Sequence, residues 1–163
     1  MLYGRVFSGR EVDERPFRDD TWTMALLGGG LRLTAEDFLG IEALARVHGD
    51  HECLVLDPEW NFEDQAASVL PLRHSAWDSA AVGSPLGHVG LRIVPPSGMW
   101  AVAIDVEGVA VLAAASLDAF FAAAGGADAV LSRYAADEST VGFGPKGVAF
   151  RRRLREMVGA PAA

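Results

Sequence analysis

Residues 99–124 read MWAVAIDVEGVAVLAAASLDAFFAAA, and this stretch decides the fold. Large and small side chains alternate over 99–105, which is the period of a strand with one strongly buried face. Residues 105–108 (DVEG) supply a turn, because glycine adopts positive φ without a steric penalty. A second alternating segment over 109–113 completes a predicted hairpin of two antiparallel strands.

A helix is predicted directly after this hairpin. Ser116 stands at an N-cap position, Asp118 places a negative charge in the positive first turn, and Gly125 follows the last apolar residue. Upstream, residues 88–94 (HVGLRIV) form another predicted strand, joined to the hairpin by the turn-forming segment PPSG. Three consecutive strands with short connections favour an antiparallel meander around residues 88–114.

The rest of the chain adds further strands and helices to this meander. In the first part of the chain we predict a strand over 2–7, an exposed charged loop over 8–20, a strand over 21–27 and a helix from Thr34 to Gly49. A strand over 52–56 and a long irregular region over 57–84 follow. After the meander we predict a helix over 128–134 and a basic helix with a short tail over 146–163. The expected fold class is therefore α+β, a mainly antiparallel sheet packed by about four helices in one compact domain over 1–163.

The composition is that of a water-soluble globular chain. Half of the 163 residues are apolar, yet no apolar run reaches the roughly 20 residues of a membrane-spanning helix. The first residues lack the charged and apolar regions of a signal peptide. Cys53 is the one cysteine, which excludes an internal disulfide and fits a reducing compartment. We therefore expect a cytoplasmic protein without a membrane partner, in which Cys53 is a core residue.

Charge is divided unevenly along the chain. Residues 1–145 carry 9 basic and 21 acidic side chains, whereas residues 146–163 carry 5 basic and 1 acidic, within a total net charge of −8. The acidic body is expected to repel nucleic acid phosphates and to attract a basic protein. The basic end is expected to attract phosphate groups or another acidic surface.

His48, His51 and Cys53 are the nearest approach to a metal site in the sequence. A zinc site needs three or four such donors that converge tetrahedrally. Convergence here requires a tight loop between a helix end and a strand, and a fourth ligand such as His74 or His88. We prefer a helix-to-strand connection with solvated polar residues, and we expect no metal and no cofactor.

Lys146, Arg151, Arg152 and Arg153 form the best candidate anion site. They belong to the predicted last helix, which the glycine-rich segment GFGPKG at 142–147 introduces. A helix start with added positive charge attracts phosphate groups. The alternative, which we prefer, is a flexible connector that leads into a solvated helix face.

The irregular region 57–84 contains the best candidate contact surface. Loops longer than roughly 15 residues in compact domains are often functional. Its first part interleaves acidic and large aromatic side chains, a composition common at protein interfaces. These partner-binding candidates are Asp57, Glu59, Trp60, Phe62, Glu63 and Asp64. The alternative, that the two aromatic residues cap the core from a loop, stays open.

The segment WAVAIDVEG followed by VLAAASLDAFF is similar in layout to the SUKH superfamily of bacterial immunity proteins. That family has a late strand pair, a turn with an acid and a glycine, and a helix that begins at serine and ends in a phenylalanine-leucine pair. The matching positions in this chain are Trp100, Ile104, Gly108, Ser116, Phe120 and Phe121. The resemblance spans residues 99–124 and implies a non-enzymatic α+β protein that binds and neutralises a toxin, often a nuclease.

These observations favour a non-enzymatic acidic binding protein, of the immunity or accessory type, whose partner is a basic protein. No G-x-S-x-G pattern surrounds Ser75, so the neighbouring His74 and Asp78 do not indicate a hydrolytic triad. Two alternatives stay open. One is an enzyme or small-molecule-binding domain with a cleft between residues 57–84 and the sheet. The other is a subunit of a larger assembly that docks through the basic C-terminal helix.

Overall fold

A computed structural model describes residues 2–9, 12–28, 34–56, 68–73, 91–104, 110–140 and 145–159. Within these ranges the helices are α1 (Leu2–Val6), α2 (Ala35–His48), α3 (Asp118–Ala123), α4 (Ala127–Thr140) and α5 (Pro145–Val158), with a short 3₁₀ helix at Val12–Glu14. The strands are β1 (Thr23–Leu27), β2 (Glu52–Leu56), β3 (Ser68–Pro71), β4 (Arg92–Val94), β5 (Trp100–Ile104) and β6 (Ala110–Ala114). None of the described helices has the length and apolar character needed to cross a membrane.

The six strands form one sheet in the order β1-β6-β5-β4-β2-β3, and every neighbouring pair is antiparallel. Trp100 of β5 lies opposite Ala114 of β6, and Ile93 of β4 lies opposite Val102 of β5. The predicted meander is therefore confirmed, and with it the α+β fold class. Residues 88–90 and the predicted turn at 105–108 lie outside the described residues.

Along the central strand β5 the two faces of the sheet differ in side-chain size. Trp100, Val102 and Leu112 belong to the side covered by α2 and α3, which we call the large-residue face. Ala101 and Ala103 belong to the opposite side, covered by α1 and α5, which we call the alanine face. Both sets are fully buried. The sequence predicted one strongly buried face, but the alanine face is buried as well, because small side chains let helices approach the strands closely.

Helix α2 follows the sequence prediction closely. The Thr34 side chain accepts a hydrogen bond from the Asp37 amide at 3.1 Å, so Thr34 is the N-cap. Gly49 ends the helix in the left-handed region at φ 73°. At Gly40 an added Cβ would lie 2.5 Å from the Phe120 ring, so glycine is what lets α3 cross α2 closely at this point.

The strand predicted over 2–7 is wrong, because these residues form α1. Leu2, Tyr3, Val6 and Phe7 repeat at helical spacing and do not alternate. The rings of Tyr3 and Phe7 accordingly lie 4.9 Å apart, one helical turn from each other. The structure therefore has five described helices, where the sequence predicted about four.

The two predicted loop regions contain more structure than the sequence indicated. In the charged segment 8–20, Val12 and Phe17 are buried in the core of the alanine face, and Phe17 forms an isolated bridge with Phe7. In the irregular region 57–84, Ser68–Pro71 forms the edge strand β3. Four residues that end in proline are too few to establish a strand period in the sequence.

Candidate functional site

The predicted contact surface lies outside the described residues. Asp57, Glu59, Trp60, Phe62, Glu63 and Asp64 all fall between the end of β2 and the start of β3. His74, Ser75, Asp78 and His88 also lie outside the description. The strands on either side of residues 57–67, β2 and β3, are neighbours, and β3 is the last strand at that end of the described sheet.

The three candidate metal ligands have different surroundings. Cys53 is fully buried in the core of the large-residue face, whereas His51 is exposed and His48 is half-buried in the last turn of α2. Burial raises the pKa of the Cys53 thiol to about 12, with Asp50 and Glu52 adding to the shift. Across the described ranges, no three His, Cys, Asp or Glu side chains are grouped to hold a metal ion. Cys53 is therefore placed as a core thiol.

The predicted anion-binding residues Arg151, Arg152 and Arg153 do not form one surface. Lys146 is the second residue of α5, and Arg152 and Arg153 are exposed. The expectation that Arg151 shares their solvated side is wrong, because Arg151 lies one turn from Leu154 on the inner face and is buried. Its guanidinium donates to the Tyr134 hydroxyl at 3.3 Å and lies 5.5 Å from the centre of that ring.

Asp37 is a fully buried carboxylate that joins three elements. Its Oδ1 accepts hydrogen bonds from Nε and Nη2 of Arg133 in α4, at 3.1 and 2.5 Å. Its Oδ2 accepts the backbone amide of Gly28 after β1, at 3.1 Å. Arg133 also donates to the Ala124 carbonyl at 2.9 Å. Through these contacts Asp37 holds α2, α4 and the end of β1 together.

The second buried carboxylate, Asp50, also serves the fold. Its Oδ2 accepts hydrogen bonds from the Ser97 hydroxyl at 2.7 Å and from the Trp100 indole at 3.0 Å. These bonds tie the end of α2 to the turn between β4 and β5. Buried Arg92 donates to the carbonyl oxygens of Leu91 and Ile104, both at 3.2 Å. These buried charges are committed to structural contacts, so we do not place acid-base chemistry on them.

A groove of about 200 Å³ lies at the outer edge of β1. β1 is the last strand of the described sheet, so it has a strand neighbour on one side. Most of the groove lining is apolar, and it comes from four elements and the residue after α5. The lining residues are Met24, Ala25, Leu26, Phe121, Ala127, Asp128, Val130, Leu131, Val158 and Gly159.

This β1 groove opens between the two layers of helices. Phe121 packs with the large-residue face and Val158 with the alanine face, so the groove spans the sheet edge. Helix α4 covers the edge beyond β1, because an added Cβ on Gly28 would lie 3.0 Å from the Arg133 carbonyl carbon. Met24, Ala25 and Leu26 are themselves buried, so the groove is a shallow apolar cleft over β1 between α3, α4 and α5. A cleft of this kind accepts an apolar side chain of another protein.

The rim of the groove attracts a positively charged group of a binding partner. Asp128 is exposed and, among the described residues, is the one ionisable side chain in the lining. Gly159 follows the C-terminal end of α5, where the helix carbonyl groups carry partial negative charge. The volume is below the roughly 300 to 1,000 Å³ of small-molecule sites, so the groove suits an apolar side chain better than a metabolite.

Comparison with models of protein families, with curated proteins and with solved structures finds no match for this chain.

Sequence reasoning missed the β1 groove entirely. Its lining comes from segments that begin near residues 24, 121, 127 and 158, and none of these segments carries a motif. The strand at 21–27 was predicted, but its position at the sheet edge follows from pairing with β6, which is distant in sequence. No local signal in the chain marks this site.

Proposed function

We propose that this chain is a non-enzymatic acidic protein-binding domain, which holds an apolar segment of a positively charged partner protein in the β1 groove. The observation that carries the proposal is the groove itself, an apolar cleft on an edge strand with a carboxylate at its rim. The cleft receives one apolar side chain of the partner, as pockets at protein interfaces commonly do. Asp128 then meets a basic residue beside that side chain.

The charge of the whole chain supports a basic partner. A net charge of −8 accelerates the approach of a positively charged protein and slows that of another acidic protein. The resemblance of residues 99–124 to SUKH immunity proteins favours the same class of function. In that interpretation the partner is a basic toxin and the chain is its immunity protein.

Affinity capture with matched groove variants tests the proposal. Ala127→Phe fills the groove, and Asp128→Arg reverses the charge at its rim. Asp118→Arg is the matched control, because Asp118 is also an exposed acid in a first helical turn but does not line the groove. Proteins captured from the native host are quantified by mass spectrometry, and each recovered partner is then produced and titrated against the three variants by calorimetry.

We expect a basic protein that binds the unmodified chain and the Asp118→Arg variant equally. Its affinity should fall at least tenfold for Ala127→Phe and for Asp128→Arg, and the loss with Asp128→Arg should shrink as salt is raised. Equal binding to all variants would refute the groove as the binding site. A partner that is neutral or acidic would contradict the charge argument.

A further inference from the structure

The outer face of α2 carries large apolar side chains that the fold leaves exposed. Leu39 and Val47 are 43% and 67% exposed, and Ala43 lies half-buried between them. Positions 39, 43 and 47 lie on one stripe of the helix surface, because residues four apart in a helix are neighbours. A contiguous stripe of this kind is a candidate interaction surface.

Charged residues of opposite sign flank the stripe at its two ends. Glu36 is exposed in the first turn of α2, and Arg46 is exposed in the last turns. Arg46 donates to Glu42 on its own helix at 2.5 Å. The outer face is therefore acidic toward its N-terminal end and basic toward its C-terminal end.

The outer residues of α2 are arranged symmetrically about position 41. Glu36 and Arg46 are equally far from this position, and so are Leu39 and Ala43. Exposed Ala35 and Val47 form a third pair about the same centre. Each pair joins an acid to a base or a large side chain to a small one. An antiparallel copy of the helix, turned about position 41, thus presents Arg46 to Glu36 and Ala43 to Leu39. Ala35 and Val47 lie on opposite flanks of this face, roughly 120° apart around the helix axis, so they do not meet across it.

We propose that a second copy of this chain packs its α2 against this α2, antiparallel, about a two-fold axis near position 41. Leu39 of each copy then packs on Ala43 of the other. Glu36 of each copy faces Arg46 of the other. The interface is isologous, so it closes on itself and yields a dimer.

The size of the surface sets the strength of the dimer. A helix of 14 residues is roughly 21 Å long, and a single helix-on-helix contact buries less than the roughly 800 Å² per partner of a stable interface. The dimer is therefore weak and forms at high protein concentration. It also leaves the β1 groove untouched, because α2 contributes no residue to the groove lining.

Sedimentation equilibrium over a concentration series tests the dimer. We expect the mass to rise from 17.3 kDa toward twice that value as the concentration approaches the millimolar range. Leu39→Lys should weaken association at least tenfold, because it places a charged group against Ala43 of the second copy. Val148→Lys is the matched control, because Val148 in α5 is 61% exposed and lies away from α2, so this variant should associate like the unmodified chain.

Mixing two charge-reversed variants tests the antiparallel register. Glu36→Arg gives a helix with two positive ends, and Arg46→Glu gives a helix with two negative ends. Each variant alone should associate at least fivefold more weakly than the unmodified chain. An equimolar mixture should form a mixed dimer, because both cross-helix pairs then become attractive. Circular dichroism confirms that each variant is folded.

Three results would overturn this proposal. One is a mass that stays at that of a single chain at every concentration. A second is equal dimerisation of the Leu39→Lys and Val148→Lys variants, which would place the interface elsewhere. The third is a mixture of charge-reversed variants that associates no better than its components, because it would refute the antiparallel pairing about position 41.

Discussion

The inner and outer faces of α2 contain the same kinds of residue in opposite surroundings. On the inner face, Asp37 is fully buried and paired with Arg133, and Gly40 lies against Phe120. On the outer face, Arg46 pairs with Glu42 while 70% of its side chain remains exposed. Each face has one ion pair and several apolar side chains. What differs is whether other parts of the fold cover them.

This difference separates residues that stabilise the fold from residues available to a partner. A charge taken out of water must keep its partner, since an unpaired buried charge is strongly destabilising. A charge in water keeps most of its solvation whether or not a partner is near. Substitutions on the inner face should therefore change stability, whereas those on the outer face should change association. The predictions below test that division.

Removal of Arg133, the positively charged member of the buried ion pair, should have the largest effect on stability. Arg133→Met leaves the Asp37 carboxylate buried without its partner, and we expect a loss of about 3 to 5 kcal/mol in the free energy of unfolding. Urea denaturation measures it. The double variant Asp37→Asn with Arg133→Met should recover more than half of the loss, because the introduced carboxamide is uncharged and its oxygen can still accept the Gly28 amide. A loss below about 1 kcal/mol for the single variant would show that the pair is not needed.

A methyl group added at the helix crossing should have the next largest effect. Gly40→Ala places a Cβ 2.5 Å from the Phe120 ring and 2.9 Å from its carbonyl oxygen, and we expect destabilisation by about 1 to 3 kcal/mol. Gly4→Ala in α1 is the matched control, because no atom lies within 4 Å of its added Cβ. There the helix preference of alanine should stabilise the chain by up to about 1 kcal/mol. Thermal unfolding of both variants should give shifts of opposite sign, and shifts of the same sign would contradict the prediction.

The dependence of stability on alkaline pH tests the burial of Cys53 in the core beneath the inner face of α2. The pKa of this thiol is raised to about 12 in the folded chain, above its ordinary value of 9.0. The stabilisation that depends on the protonated Cys53 thiol is therefore fully present below pH 9 and is lost as the pH rises toward 12. The reason is that the thiol of the unfolded chain releases its proton at a lower pH than the thiol of the folded chain. Between these limits stability should fall by about 1.4 kcal/mol per pH unit more than in Cys53→Ala. Equal slopes for the two chains in urea titrations would indicate that the thiol reaches solvent.

Removal of Arg46, the positively charged member of the exposed ion pair, should have the smallest effect on the stability of the monomer. Arg46→Met removes a mostly exposed partner of Glu42, and we expect a change of at most about 0.5 kcal/mol in the free energy of unfolding. Urea denaturation at low protein concentration measures it without interference from association. A loss as large as that of Arg133→Met would remove the distinction between the two faces.

Several elements were predictable because their signals are local. Thr34 and Gly49 mark the ends of α2 with side-chain and backbone chemistry that needs no distant partner. The hairpin strands β5 and β6 show their period within the chain, and their pairing was confirmed. The prediction for the N-terminal segment was wrong, because Leu2 and Val6 fit a helical spacing that was interpreted as a strand.

The candidate site was much less predictable than the fold. The β1 groove depends on Met24 and Val158 meeting at one sheet edge, and neither carries a chemical signature. The predicted aromatic and acidic surface at 57–64 remains a prediction. Leu39 and Val47 belong to a helix that the sequence predicted, but only the folded structure shows that both stay exposed.

Periodicity and capping within short segments were enough to predict the fold class, the meander and the ends of α2. The tertiary structure alone decided that Asp37 is buried and Arg46 exposed. Asp37 meets Arg133 across 96 positions of the chain, and Arg151 turns inward because Tyr134 lies beside it. Burial of a charge depends on groups brought together from distant segments. For this reason only the folded chain separates structural residues from those available to a partner.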